Sequence, residues 1–107
     1  MDLKLLIIVP ARAGSKGIEN KNMYPVLGKP LIGYTFDLLT HLPYDYCITT
    51  DDDKIIDYAK SRDLKIHFKR PDSLAEDTIK MMGVLIHAIE IMESIQGFRY
   101  EYVLLLQ

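Results

Sequence analysis

Arg12, Lys16 and Lys21 sit on one short stretch punctuated by Gly14 and Gly17, directly behind the apolar run of residues 5–9. Cations on a glycine-bearing turn suit a polyanion. Glycine lets main-chain N–H groups approach phosphate oxygens closely. Arginine grips a phosphate with two parallel hydrogen bonds, and lysine adds a mobile point charge. A triphosphate, with several negative charges, matches three such cations better than one. Across residues 11–29, Arg12, Lys16, Lys21 and Lys29 are balanced by Glu19 alone, a local +3 in a chain of formal net charge −2. A basic island in an acidic chain indicates a local anion site, not the broad basic face of a nucleic-acid or membrane-surface binder. The plainer alternative is a solvated charged loop.

Other groups offer less. Asp51, Asp52 and Asp53 are consecutive carboxylates at a helix start, where they serve the cap and the helix dipole more often than a metal. His41, His67 and His87 are too scattered for a ligand set. Cys47 is the only cysteine, which rules out an internal disulfide and a cysteine metal cluster, and reads as a small buried residue in a strand. Met81, Met82 and Met92 read as core filling. The glycine spacing satisfies neither the Walker A pattern nor the dinucleotide fingerprint. Gly14-Ser15-Lys16-Gly17 does satisfy the Gly-x-x-Gly of a KH RNA-binding loop. That loop joins two helices, however, and here a strand comes first.

The elements that must position the basic loop follow from periodicity. Residues 5–9 form a continuous β-branched run, the pattern of a strand buried on both faces. Residues 11–30 lack periodicity and read as a long loop, a length that in compact domains is usually functional or disordered. Pro30 suits the first turn of a helix with Leu31, Tyr34, Phe36, Leu38 and Leu39 on its apolar face, ending near Leu42 and Pro43. Residues 46–49 predict a second strand. Thr50 or Asp51 would cap a helix that buries Ile55, Ile56, Tyr58 and Ala59. Residues 64–68 predict a third strand. A third helix, from near Asp77 or Thr78 to Gly97, would use Met82, Leu85, Ile86, Ile89 and Met92. Residues 102–106 predict a fourth buried strand. Alternating strands and helices indicate an α/β domain with a mainly parallel sheet, whose ligands sit beyond the carboxyl ends of the strands. Both the basic loop and Gln107 fall at that edge.

The longer strings narrow the reading. Pro10-Ala11-Arg12-Ala13-Gly14-Ser15-Lys16-Gly17, then Lys21-Asn22 and Gly28-Lys29-Pro30-Leu31-Ile32, closely resemble the cytidine 5′-monophosphate sialic acid synthetase (acylneuraminate cytidylyltransferase) family. Thr50-Asp51-Asp52 resembles the family's Ser-Thr-Asp-Asp segment. Arg70-Pro71-x-x-Leu74-Ala75-x-Asp77-Thr78 resembles another of its segments, and Leu104-Leu105-Leu106-Gln107 resembles the start of a third. These ordered matches span the chain.

The resemblance implies a Rossmann-like, glycosyltransferase-A-like nucleotidyltransferase fold of three layers, truncated after the fourth strand. Residues 1–107 would be its amino-terminal nucleotide-binding part, with the carboxy-terminal part missing. It implies transfer of CMP from CTP to the anomeric hydroxyl of a sialic-acid-like nonulosonic acid, with pyrophosphate released and magnesium assisting. By the same resemblance Arg12 and Lys21 are the catalytic cations. The nucleotide pocket would take Ala11, Arg12, Ala13, Gly14, Ser15, Lys16, Gly17, Lys21, Asn22, Arg70 and Gln107. The metal-binding Asp-x-Asp and the dimerisation element of the family fall outside this chain, so no metal ligand is expected within it and this piece alone is expected to be inactive. Met81 stands near a position where relatives carry a small polar residue close to the base. The resemblance implies a homodimer. The sequence itself, with a single cysteine, no signal-peptide pattern and no apolar run near the ~20 residues that span a bilayer, leads us to expect a reducing cytoplasmic setting without a membrane partner. Its net charge of −2 argues against a nucleic-acid partner. A sheet ending at the fourth strand would leave an apolar edge. The alternative from another class is a non-catalytic nucleotide-binding remnant or regulatory fragment.

Overall fold

The chain runs through β1 (Leu5–Ala11), β2 (Pro25–Val26), β3 (Lys29–Pro30), α1 (Leu31–His41), β4 (Asp45–Thr50), α2 (Asp53–Ser61), α3 (Met81–Gln96) and β5 (Tyr102–Leu105). The computed structural model describes residues 3–11, 23–71 and 81–106. β1 is the centre of a three-stranded parallel sheet ordered β4-β1-β5, with Ile7 opposite Tyr46 on one side and Leu104 on the other. Its alternate residues feed two cores, as strand geometry requires. Ile7, Val9 and Ala11 pack with Ile32, Phe36 and Leu39 of α1 and with Ile55 and Ala59 of α2. Leu6 and Ile8 pack with Cys47 and with Ala88 and Met92 of α3. The result is the expected three-layer α/β arrangement with a parallel sheet. Cys47 is buried as expected, and the loss of water around it pushes its thiol pKa up to about 12.

Three elements differ from expectation. Residues 64–68 join no ladder. The segment instead crosses from one core to the other: Leu64 and Ile66 pack on the α1–α2 side, Phe68 on the α3 side, and the Lys65 amide donates to the Tyr46 hydroxyl at 2.8 Å. Its period-two apolar pattern is real, yet it serves a crossing and not a strand. β5 forms but is not buried, because β1 alone flanks it among the described residues. The second helix is capped by Asp52, whose carboxylate accepts from the Lys54 amide at 2.9 Å, and not by Thr50 or Asp51. β4 continues through Thr50, whose hydroxyl accepts from the Asp52 amide at 3.1 Å and so shapes the turn into the cap.

The helix faces are rotated slightly from those read in the sequence. Pro30 caps α1 from outside its first turn, and Ile32, Gly33, Phe36 and Leu39 are buried while Leu31, Tyr34 and Leu38 are exposed. At Gly33 the helix comes so close to α2 that a Cβ would meet the Tyr58 hydroxyl oxygen at 2.6 Å. In α3 the buried line is Val84, Ala88 and Met92, leaving Met82 and Ile86 exposed. The start expected near Asp77 or Thr78 lies outside the described residues. Gly97, at φ +80°, follows the last turn as expected.

The stretch read as loop also contains the β2–β3 hairpin. Its two-residue turn places Leu27 at φ 53° and Gly28 at φ 82°, the pair of positive angles that a type I′ turn requires. Leucine resists that conformation, and its side chain is 97% exposed and packs on nothing that compensates. Leu27→Asn is therefore expected to stabilise the fold by about 0.5–1 kcal/mol, since asparagine tolerates the left-handed region and asparagine–glycine is the preferred type I′ pair. Chemical denaturation would show a higher midpoint with unchanged slope. An unchanged midpoint would mean that the turn adopts another geometry.

Candidate functional site

Three chain segments meet at the carboxyl edge of the sheet. Ala11 ends β1, buried, directly opposite Thr50 at the end of β4. Beyond β5, the Leu106 amide donates to the Ile8 carbonyl at 3.0 Å and keeps the chain alongside β1. The loop that carries the expected cations leaves from Ala11 and returns at Met23, which packs against the α1–α2 core. Arg12, Ala13, Gly14, Ser15, Lys16, Gly17, Lys21, Asn22 and Gln107 lie outside the described residues. What the fold fixes is the root of that loop. It stands where the parallel sheet directs its ligands. The described elements on either side of it are a strand and a hairpin, unlike the two helices that bracket a KH loop.

Arg70 is the candidate whose side chain is described. It is only 5% exposed, with Nε donating to Thr49 Oγ1 at 3.1 Å and Nη2 to the Thr49 carbonyl at 2.7 Å. Its backbone amide donates to the Thr50 carbonyl at 2.8 Å. These bonds bring the arginine to the last residues of β4, beside Ala11. A buried guanidinium held at two points is both a fixed positive charge and a clamp on the strand end. Arg70→Met, which removes the donors and keeps the stem, is expected to cost about 1.5–3 kcal/mol, because the Thr49 carbonyl loses a charge-assisted partner. Arg70→Lys should recover little of this, since an ammonium cannot reproduce the two-point grip. Urea denaturation of both variants tests the point. Wild-type stability in Arg70→Lys would show that the fork geometry is immaterial.

Lys29, counted in the basic island, is committed elsewhere. It forms an ion pair with Asp37, which also binds Arg62, and its ammonium lies 4.6 Å from the centre of the Tyr34 ring. The hydrogen bond from Lys29, then that from Arg62, holds the Asp37 carboxyl below its ordinary pKa. Arg62 Nη1 donates in turn to the Tyr58 hydroxyl at 3.0 Å. The cluster ties the hairpin, α1 and α2 together, and so fixes the far root of the basic loop. Sequence reasoning missed this role because Arg62 is distant in the chain.

The aspartate run behaves as a helix start. Asp52 is the cap, and Asp53 pairs with Lys69 at 3.1 Å. Among the described residues no group of three His, Cys, Asp or Glu side chains could hold a metal ion. An apolar cleft of about 160 Å³ opens at the same edge between Val9, Pro10, Leu31, Ile32, Tyr34 and Leu106.

The sequence profile of the cytidylyltransferase family matches residues 6–97. The chain is 38% identical over 103 residues to a pseudaminic acid cytidylyltransferase of Campylobacter jejuni serotype O:2, covering 94% of this chain and 44% of that protein. It is 33% identical over 100 residues to an N-acylneuraminate cytidylyltransferase of Escherichia coli O18:K1:H7, covering 92% and 24%. Similarity to a CMP-N,N'-diacetyllegionaminic acid synthase of Legionella pneumophila is 32% over 109 residues, covering 98% and 46%. Among solved structures, a CMP:2-keto-3-deoxy-manno-octonic acid synthetase complexed with CTP superposes with a TM-score of 0.61 at 19% identity, over 95% of this chain and 39% of that one. The chain thus spans less than half the length of these relatives. With a profile match over most of its residues and a parallel sheet of the same fold, the chain belongs to the cytidylyltransferase family.

Proposed function

We propose that this chain provides the nucleotide-binding part of an enzyme that transfers CMP from CTP to an acidic nonulosonic sugar. The observation that carries the reading is the family match across residues 6–97, whose basic glycine loop is rooted at the carboxyl edge of the parallel sheet. In the proposed reaction the anomeric hydroxyl gives up its proton to solvent as its oxygen forms a bond to the α-phosphorus. The bond from that phosphorus to the bridging oxygen breaks, and pyrophosphate leaves with the electron pair. Such transfers depend on positioning and on neutralising charge in the transition state.

Arg12 and Lys21 are assigned to the triphosphate, Lys21 to the charge that grows at the α-phosphate. Ala11, Ala13, Gly14, Ser15, Lys16 and Gly17 are assigned to closing around the phosphates. Asn22, Arg70 and Gln107 are assigned to the nucleotide pocket, with Arg70 also holding the end of β4 through Thr49. Magnesium belongs to the reading as a screen for phosphate charge. Its ligands are assigned outside the described residues, since Asp52 and Asp53 already serve the start of α2. Homodimeric assembly rests on the family resemblance, and a cytoplasmic site on the single cysteine, Cys47, which fits a reducing compartment. No helix among the described residues is long and apolar enough to cross a membrane.

A chimera tests the proposal. Residues 1–107 replace the matched segment of the Campylobacter relative, and pyrophosphate release is followed with CTP and, in turn, pseudaminic, legionaminic and N-acetylneuraminic acids. The expected result is CTP-dependent release with at least one of the sugars. Binding of CTP without release under any sugar would favour a nucleotide-binding remnant. Tighter binding of single-stranded RNA than of CTP by the chain itself would overturn the reading.

A further inference from the structure

The two cations assigned to the triphosphate stand close in sequence to different fixed points. Arg12 directly follows Ala11 of the sheet. Lys21 precedes Met23 by two residues, a span of at most about 7 Å of extended chain, and Met23 packs against the α1–α2 core. Whatever fixes the frame of residues 23–30 therefore limits where Lys21 can stand.

That frame is fastened along one line of α1. The Leu31 amide donates to the Tyr24 carbonyl at 2.8 Å. Three residues on, the Tyr34 hydroxyl donates to the Val26 carbonyl at 2.5 Å, and the Tyr34 ring lies 4.6 Å from the Lys29 ammonium. Three residues further, Asp37 receives Lys29 on one carboxylate oxygen and Arg62 on the other. The side chains of Lys29 and Asp37 are 36% and 32% exposed, and pairs so open to water add little stability. What one carboxylate between two cations does provide is alignment, because each oxygen holds a different element.

We infer that Asp37 is a positioning residue for the transfer, holding the hairpin on α1 so that the loop returns in the register that presents Lys21 to the α-phosphate. The inference rests on the proposed reaction. The competing role makes Lys29 itself a phosphate cation, with Asp37 as its competitor. The two roles predict opposite signs, since neutralising Asp37 would free the ammonium in the second case and release the hairpin in the first.

The chimera described above carries the test. Asp37→Asn is expected to lower turnover about tenfold, as misplacement of a reacting group does, with a melting temperature within a few degrees of the parent. Asp37→Glu, which keeps the charge, should recover most of the turnover. A double-mutant cycle separates positioning from general loosening. With Lys21→Ala already in place, Asp37→Asn should change turnover by less than about twofold, whereas on an Arg12→Ala background it should still cost about tenfold. In the 107-residue chain alone, without CTP, the Leu31 amide should exchange about tenfold faster in Asp37→Asn. Equal or raised turnover in Asp37→Asn, an unchanged Leu31 amide, or the same loss with and without Lys21 would each overturn the inference and leave the proposed function standing. A parent chimera that releases no pyrophosphate defeats the proposed function, and this inference with it.

Discussion

In the chimera with the Campylobacter relative, Lys21→Ala is expected to lower turnover by a factor on the order of 10²–10³ while leaving the melting temperature close to that of the parent. In the proposed reaction, loop cations would meet the charge that develops on the α-phosphate as the new bond forms. Removing one such stabiliser elsewhere has an effect of that size. Lysine suits the task because its ammonium is a compact charge on a flexible stem, able to follow the phosphate through the reaction. The stability control matters equally. Lys21 belongs to a loop whose two roots are fixed independently, by Ala11 in the sheet and by the Lys29–Asp37–Arg62 cluster. Loss of its charge should therefore spare the fold. Steady-state kinetics separate the possibilities. A fall in turnover at nearly constant KM for CTP marks an interaction made in the transition state, whereas a raised KM at constant turnover marks ordinary binding. Unchanged turnover would remove Lys21 from the chemistry.

The parts of the fold that were legible in the sequence are those set by short-range pattern. Leu5 to Val9 could hardly be anything but a buried strand, and the helices around Phe36, Ile55 and Met92 follow from their spacing. What pattern alone could not supply was the neighbour. Residues 64–68 have a strand's alternation, but whether they form a ladder depends on how they cross the edge of β4. β5 has a buried strand's composition, and its exposure is decided by what lies beside it. Arg70 shows the same limit at the site. Resemblance pointed to a nucleotide role, while its bonds to Thr49 join residues 21 apart and leave no local trace. Lys29 was counted in the local charge of the basic island because charge is visible in a sequence and its partner Asp37 is not. For the loop, residue types alone gave an expected anion site, and the roles of Arg12 and Lys21 came from the family resemblance.

Phe36→Ala is expected to produce the largest loss of stability, about 3–5 kcal/mol, the range for removing a fully buried aromatic ring. Phe36 is 0% exposed and sits in the core that joins β1, α1 and α2. Its ring stacks on Tyr58, with centroids 5.8 Å apart and planes at 22°. Truncation leaves a cavity that cannot readily collapse. The ring lies between the central strand β1 and the two helices, whose surrounding side chains relax only partly into the space it leaves. Against a total of about 5–15 kcal/mol for a domain of this size, the variant should be near the limit of folding. Calorimetry should show a melting temperature lower by roughly 10 °C or more. Phe36→Leu, which keeps most of the apolar volume, should lose much less. The consequence reaches the site because Asp37 is the next residue along α1. As the helix loosens, the Lys29 and Arg62 pairs lose their fixed partner, and the hairpin at the loop's far root is released. The variant should therefore bind CTP more weakly even under conditions where it remains folded. If stability fell as expected with CTP affinity unchanged, the loop would be anchored by Ala11 alone.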